Sequence, residues 1–257
     1  MSVTYIVSGF AVGLLVGLTG VGGGSLMTPL LTLLFGVSPT VAVGTDLAFA
    51  STTKIAGTFA HRYKGNVHWD IVKQLCLGAL PAAVLTTLVL KYLGGLDKEI
   101  GQVIRYSIAG SVMLTVIALI FRTRLQNWMS AHPNRQFHGK KLVIATIVSG
   151  AILGTLVTIS SIGAGAIGAT ILVLLYPRLT PAEIAGTDIA YAVPLTAIAA
   201  LGHWWLGSIH WELLAMLLLG SVPGITLGSL ASRAIPEKVL RVLLATTLTT
   251  VAFKLVY

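Results

Sequence analysis

The sequence predicts an all-α, polytopic membrane protein made of two inverted repeats of about five helical segments, each opening on a short helical hairpin with a glycine-rich tip. Three observations carry that prediction: an apolar composition, a repeat running through most of the chain, and pairs of helices too short to cross a bilayer. The 257 residues are 55% hydrophobic and only 10% charged, with a mean hydropathy of +0.90, whereas a soluble domain carries about 25% charge. Apolar runs at 103–121, 213–231 and 239–257 come near the ~20 residues needed to cross the hydrocarbon layer. The bilayer is therefore the expected partner. A net charge of +9 would suggest nucleic-acid binding in a soluble protein, but here it sorts by loop, so no nucleic-acid partner is expected. The first Lys or Arg is Lys54, with no charged region ahead of the first apolar stretch, so no cleaved signal peptide is expected. The single cysteine, Cys76, excludes an internal disulfide and offers no metal cluster.

The repeat has two registers. Adding 142 to positions from Pro39 to Pro81 pairs Pro39 with Pro181, Gly44 with Gly186, Thr45 with Thr187 and Asp46 with Asp188. The same offset joins His61 to His203, His68 to His210, Trp69 to Trp211 and Pro81 to Pro223. Upstream the offset is 141, pairing Gly9 with Gly150, Gly13 with Gly154, Gly22 with Gly163 and Gly24 with Gly165. The implied organisation is an N-terminal transmembrane repeat at 1–121, a basic cytoplasmic linker at 122–141, and an inverted C-terminal repeat at 142–257. Segments are expected at 3–18, 22–36, 41–61, 70–92 and 100–121, then 142–158, 165–176, 183–204, 211–231 and 238–256.

An odd number of crossings per repeat inverts the second copy, and the distribution of Lys and Arg agrees. Placing Arg122, Arg124, Arg135, Lys140 and Lys141 in the cytoplasm puts Arg62, Lys64, Arg178, Arg233 and Lys238 there too, while 36–40 and 206–209 carry no Lys or Arg. Both termini then lie outside the cytoplasm, in a multi-pass protein of a bacterial-type inner membrane.

In each half the first two segments are too short. As helices, 3–18 spans about 24 Å and 26–36 about 16 Å at 1.5 Å per residue. Each pair reads as a hairpin whose tip, at 19–25 or 160–166, lies inside the membrane. Irregular backbone at that depth is tolerated only where protein buries it or water reaches it. Glycines expose successive N–H groups, and each tip leads into a helix N-terminus, a setting that suits an anion. The substrate-binding candidates are therefore Thr19, Gly22, Gly23, Gly24 and Ser25 of the first tip and Ser160, Ser161, Gly163 and Gly165 of the second. Gly9, Gly13, Gly17, Gly150 and Gly154 are assigned instead to close helix packing.

Ionisable residues inside spans cost free energy and usually face a cavity or partner. Asp46 and Asp188, each preceded by a threonine (Thr45, Thr187), could carry a coupled proton or hold the tips. Lys54 has Thr196 at its equivalent position, so a bridge to an Asp and a direct contact with an anion are both open. His61 and His203 are expected at segment ends beside water, and His68–Trp69 and His210–Trp211 as interfacial anchors. No nucleotide, zinc or dinucleotide motif is present, so no cofactor, resident metal or enzymatic activity is expected.

The run GLTGVGGGSLMTPLL, the GTD after it and their echoes, including SSIGAGAIG, resemble the sulfite exporter TauE/SafE family of membrane transporters over nearly the whole chain. The resemblance implies an inner-membrane permease for sulfur-containing anions such as sulfite or organosulfonates, acting as an exporter. With an inside-negative potential, anion exit is favoured by about 2.3 kcal/mol per charge per 100 mV. The second tip is poorer in glycine and has Thr170 where the first has Pro29, so the halves need not bind alike. Uptake of the same anion is the first alternative. A cation or metal carrier using Asp46 and Asp188 is another, and a membrane aspartyl enzyme a third, although the hairpins would have no role in that last one.

Overall fold

The computed structural model describes residues 2–19, 24–63, 65–94, 98–131, 137–231, 246, 248–250 and 253–254. Most of these residues are helical, with no strand among them. The helices are α1 (Ser2–Thr19), α2 (Gly24–Leu34), α3 (Pro39–Tyr63), α4 (Trp69–Tyr92), α5 (Lys98–Ala131), α6 (Gly139–Ser160), α7 (Ala166–Leu175), α8 (Pro181–Trp205) and α9 (Trp211–Ala231). Five are long and apolar enough to cross a membrane. α2 and α7, of 11 and 10 residues, are half-length, as expected of hairpin arms. The final expected segment lies almost wholly outside the described residues.

One boundary differs from the sequence reading. α5 continues to Ala131 and α6 begins at Gly139, so most of the expected linker is helical. Charge at Arg122 and Arg124 marks the end of the apolar span, but Arg, Leu, Gln and Met are strong helix formers, and no Gly or Pro interrupts them before Pro133.

Tight packing explains several glycines. α1 lies along α9, and α4 along α6. A Cβ on Gly9 or Gly13 would strike the backbone of Leu217 or Ser221, and one on Gly150 or Gly154 that of Leu75 or Ala79. Facing them, Gly220 abuts Ile6 and Gly78 abuts Ile147. Each contact recurs with the halves exchanged, at the repeat's own offsets. Small residues let these backbones approach where lipid gives no hydrophobic drive to associate. The surroundings of Gly17 lie outside the described residues. At the centre, α3 crosses α8, with α2 and α7 beside them.

Candidate transport site

The GTD motif divides its work residue by residue. A Cβ on Gly44 would collide with the Ser208 carbonyl, and one on Gly186 with that of Asn66. The next residue completes the seat: Thr45 Oγ1 accepts the His210 N–H at 3.1 Å, and Thr187 Oγ1 accepts the His68 N–H at 3.1 Å. The Gly-Thr pair of each half thus docks the loop after the third helix of the other half. One residue further, the carboxylates of Asp46 and Asp188 are buried.

Each carboxylate is tied to its own hairpin. The Thr28 hydroxyl on α2 donates to Asp46 Oδ2 at 2.6 Å, and Asp188 faces the Gly165 backbone at the start of α7. Asp188 Oδ1 sits so close to Gly168 that a Cβ there could not fit. The second oxygen of each carboxylate, Asp46 Oδ1 and Asp188 Oδ1, has no hydrogen-bond partner.

At the second tip, Ser161 takes a left-handed backbone (φ 59°) and its N–H closes α6 onto the Val157 carbonyl at 2.7 Å. Gly163 and Gly165 also hold positive φ. α7 then starts, with the Gly168 and Ala169 N–H groups donating to the Gly163 and Gly165 carbonyls at 2.9 Å. The two serines differ. Ser160 donates to the Leu156 carbonyl at 2.7 Å and accepts the Ile162 N–H at 3.2 Å, so the fold already uses its hydroxyl. Ser161 Oγ is buried without a partner, beside Asp46 of the other half. Of the first tip, Gly22 and Gly23, the side chains of Thr19 and Ser25 and the surroundings of Gly24 lie outside the described residues.

Lys54, 7% exposed, reaches across the halves and donates to the Ala164 carbonyl of the second tip at 3.3 Å. Asp188 and Asp46 both act on its charge through space, although the ion pairs within 4 Å among the described residues are His68–Glu183 and Lys73–Asp70. Arg122, where the apolar run of α5 ends, acts on Asp188 in the same way. Tyr191, one turn after Asp188 on α8, is fully buried with its hydroxyl unpartnered beside Gly168. Thr28, Gly168 and Tyr191 escaped the sequence reading. Their equivalents, Ala169, Met27 and Phe49, are apolar, so the repeat gave no signal.

One histidine expectation is corrected and another is extended. His203 is fully buried: its Nε2–H donates to the Thr158 carbonyl at 2.9 Å, and Nδ1 lies 2.9 Å from the Ser208 hydroxyl. The loop that Gly44 and Thr45 receive folds back over it and excludes water. His68 is bound to more than the interface, pairing with Glu183 of the other half at 2.9 Å. His210 lacks that partner because Val41 stands at the position equivalent to Glu183, and its Nδ1 accepts the Leu213 N–H at 3.2 Å instead. Trp69 and Trp211 remain exposed, as membrane-interface residues should.

Long apolar helices, half-length hairpin arms and a buried charged cluster shared by the two halves define a polytopic membrane transporter. Its family follows from comparison: the sequence pattern of "Sulfite exporter TauE/SafE" matches residues 5–255, and the chain belongs to that family. It is 35% identical to "Probable membrane transporter protein YjnA" of Bacillus subtilis over the full length of both chains. It is 28% identical to "Probable membrane transporter protein YdhB" of the same organism, covering 90% of this chain and 91% of that one. An archaeal relative, "Probable membrane transporter protein MJ0441" of Methanocaldococcus jannaschii, is 26% identical over 95% of this chain and 91% of its own. No solved structure matches.

Proposed function

We propose that this transporter exports a small sulfur-containing anion, sulfite or an organosulfonate, across the inner membrane by alternating access at a midplane site between two inverted repeats. The observation that carries the reading is the buried Lys54 amine, held on the Ala164 carbonyl of the opposite tip with Asp46 and Asp188 acting on it from both halves. An amine donor held at the second tip favours an anion over a metal ion, since it offers hydrogen-bond donors and no lone pair while it is protonated. Ser161 Oγ and Tyr191 OH, both buried and unpartnered, supply neutral donors that hold an oxyanion without trapping it. The free carboxylate oxygens give a coupled proton somewhere to reside. Membership of the sulfite exporter family supports sulfite and the outward direction.

The reciprocal seats of Gly44-Thr45 and Gly186-Thr187 support two matching closures on opposite faces, which inverted repeats would break in turn as one bundle rocks on the other. The basic loops support a cytoplasmic side for the 122–141 region and Arg178, with both termini on the other side. The test is purified protein in proteoliposomes offered sulfite, sulfate, thiosulfate, sulfoacetate and short carboxylates. Saturable flux of a sulfur oxyanion that is lost in Lys54→Met is the expected result. Flux of metal cations with none of any anion would overturn it.

A further inference from the structure

Buried hydroxyls in helices commonly return to their own backbone. Thr32, Thr58, Thr86, Thr158, Thr170 and Thr196 do so, each donating to the carbonyl four residues back. Ser111 and Thr115 on α5 do not. They are 2% and 1% exposed, and neither Ser111 Oγ nor Thr115 Oγ1 has a hydrogen-bond partner. A buried hydroxyl left unpaired carries its desolvation cost uncompensated, and here two occur one turn apart on the same helix.

At about 100° per residue, Thr115 lies roughly 40° and Arg122 roughly 20° around the helix from Ser111. The three residues therefore form one stripe, with the Arg122 Cα about 10 Å beyond that of Thr115 along the axis at 1.5 Å per residue. α5 packs on α7, α6, α3 and α2, the elements that surround the central cluster. The charged end of the stripe is felt at that cluster, because Arg122 acts on the buried Asp188. Isoleucines 104 and 108, Val112 and Leu119 are buried on the same side of the helix, so the polar stripe runs through an otherwise apolar seam.

We propose that Ser111, Thr115 and Arg122 line the cytoplasmic leg of the anion's path, the guanidinium drawing an oxyanion in and the two hydroxyls handing it towards Lys54. The ligand class rests on the anion-transport reading above. A guanidinium matches two oxygens of a sulfonate or sulfite at once, while single hydroxyl donors bind weakly enough to let go. An exported anion would meet these groups first, before the central site.

Accessibility tests this without knowledge of the natural substrate. In a Cys76→Ala background, Ser111→Cys, Thr115→Cys and Met113→Cys are treated from the cytoplasmic side with an anionic ethylsulfonate and a cationic trimethylammonium thiosulfonate reagent. Met113 is exposed on the opposite side of α5, so it reports the lipid-facing background. The expected result is modification at 111 and 115 at least tenfold faster by the anionic reagent than by the cationic one, and faster than at 113. Adding Arg122→Gln should abolish that charge preference. Modification at 111 and 115 no faster than at 113 overturns the path while leaving anion transport standing. A preference for the cationic reagent overturns the path and the anion reading together. Should a cysteine variant fail to fold, Ser111→Ala with Thr115→Ala in the flux assay serves instead: at least a tenfold fall in flux is expected, and parental flux overturns the path.

Discussion

At the residue scale, the protein keeps a lysine and two carboxylates buried together, and their free energies are linked. Removing one member of a buried charge set leaves the others uncompensated, at a cost of about 3–5 kcal/mol for a simple pair. Two carboxylates share one lysine, so Asp46→Asn or Asp188→Asn alone still leaves Lys54 a counter-charge, whereas the double Asn variant strands it and should lower the melting temperature in detergent. Lys54→Met added to the double Asn variant should restore much of the loss, because no charge then remains stranded. No recovery on adding Lys54→Met would mean that Lys54 does not feel the carboxylates. Ser161→Ala is the milder probe, since its hydroxyl lies beside Asp46 without a hydrogen-bond partner. Anion affinity should fall roughly two- to tenfold, as for one hydrogen bond of about 0.5–1.5 kcal/mol, at unchanged melting temperature. Ser160→Ala should do the reverse, since its hydroxyl stitches the tip through Leu156 and Ile162. Asp46, Asp188 and Lys54 were legible in the sequence because charge in an apolar run always needs a reason. Tyr191 was not, because a tyrosine among alanines and leucines reads as packing until its hydroxyl is seen without a partner.

At the element scale, the half-length hairpin arms could be read from length alone, since 11 residues cannot span a bilayer. The role of Gly-Thr in GTD could not, because its partners Ser208–His210 and Asn66–His68 lie more than a hundred residues away and only the folded crossing of α3 and α8 brings them together. Glycines were legible in kind but not in place: Gly154 and Gly110 both sit inside helices, yet only Gly154 meets a neighbour. A Cβ at 154 would overlap Ala79, so Gly154→Ala should push α4 from α6 and lower stability by about 1–3 kcal/mol, as overpacking does. Nothing lies near a Cβ at Gly110, so Gly110→Ala should stabilise by roughly 0.5–1 kcal/mol through lower unfolded-state entropy and better helix propensity. Thermal unfolding of the two variants side by side checks both signs. Equal effects would mean that the α4–α6 seam is looser than drawn.

At the scale of the whole molecule, the repeat in the sequence and the exchange symmetry of the contacts are the same fact seen twice. Gly9 meets Leu217 as Gly150 meets Leu75, and Thr45 receives His210 as Thr187 receives His68. Such exchange is what a two-fold relation between halves produces, and the proposed inversion of the second half would gather the loops rich in Lys and Arg on one face. Asp70 and Glu212 occupy equivalent positions at the starts of α4 and α9, and both side chains are exposed. In parallel repeats they would face the same compartment; in inverted repeats they face opposite ones. Single cysteines, Asp70→Cys and Glu212→Cys in a Cys76→Ala background, should therefore label from opposite sides with a membrane-impermeant maleimide. Asp70→Cys should react only when the cytoplasmic face is open to the reagent, and Glu212→Cys in intact cells. Asp70 follows Trp69, whose ring lies under the Arg62 guanidinium, whereas Glu212 follows Trp211, which pairs with Trp204 across a loop, 206–209, without Lys or Arg. The positive-inside rule thus makes a different forecast for each position despite their equivalence in sequence. Labelling of both cysteines from one side would refute the inversion, and with it the picture of two closures broken alternately.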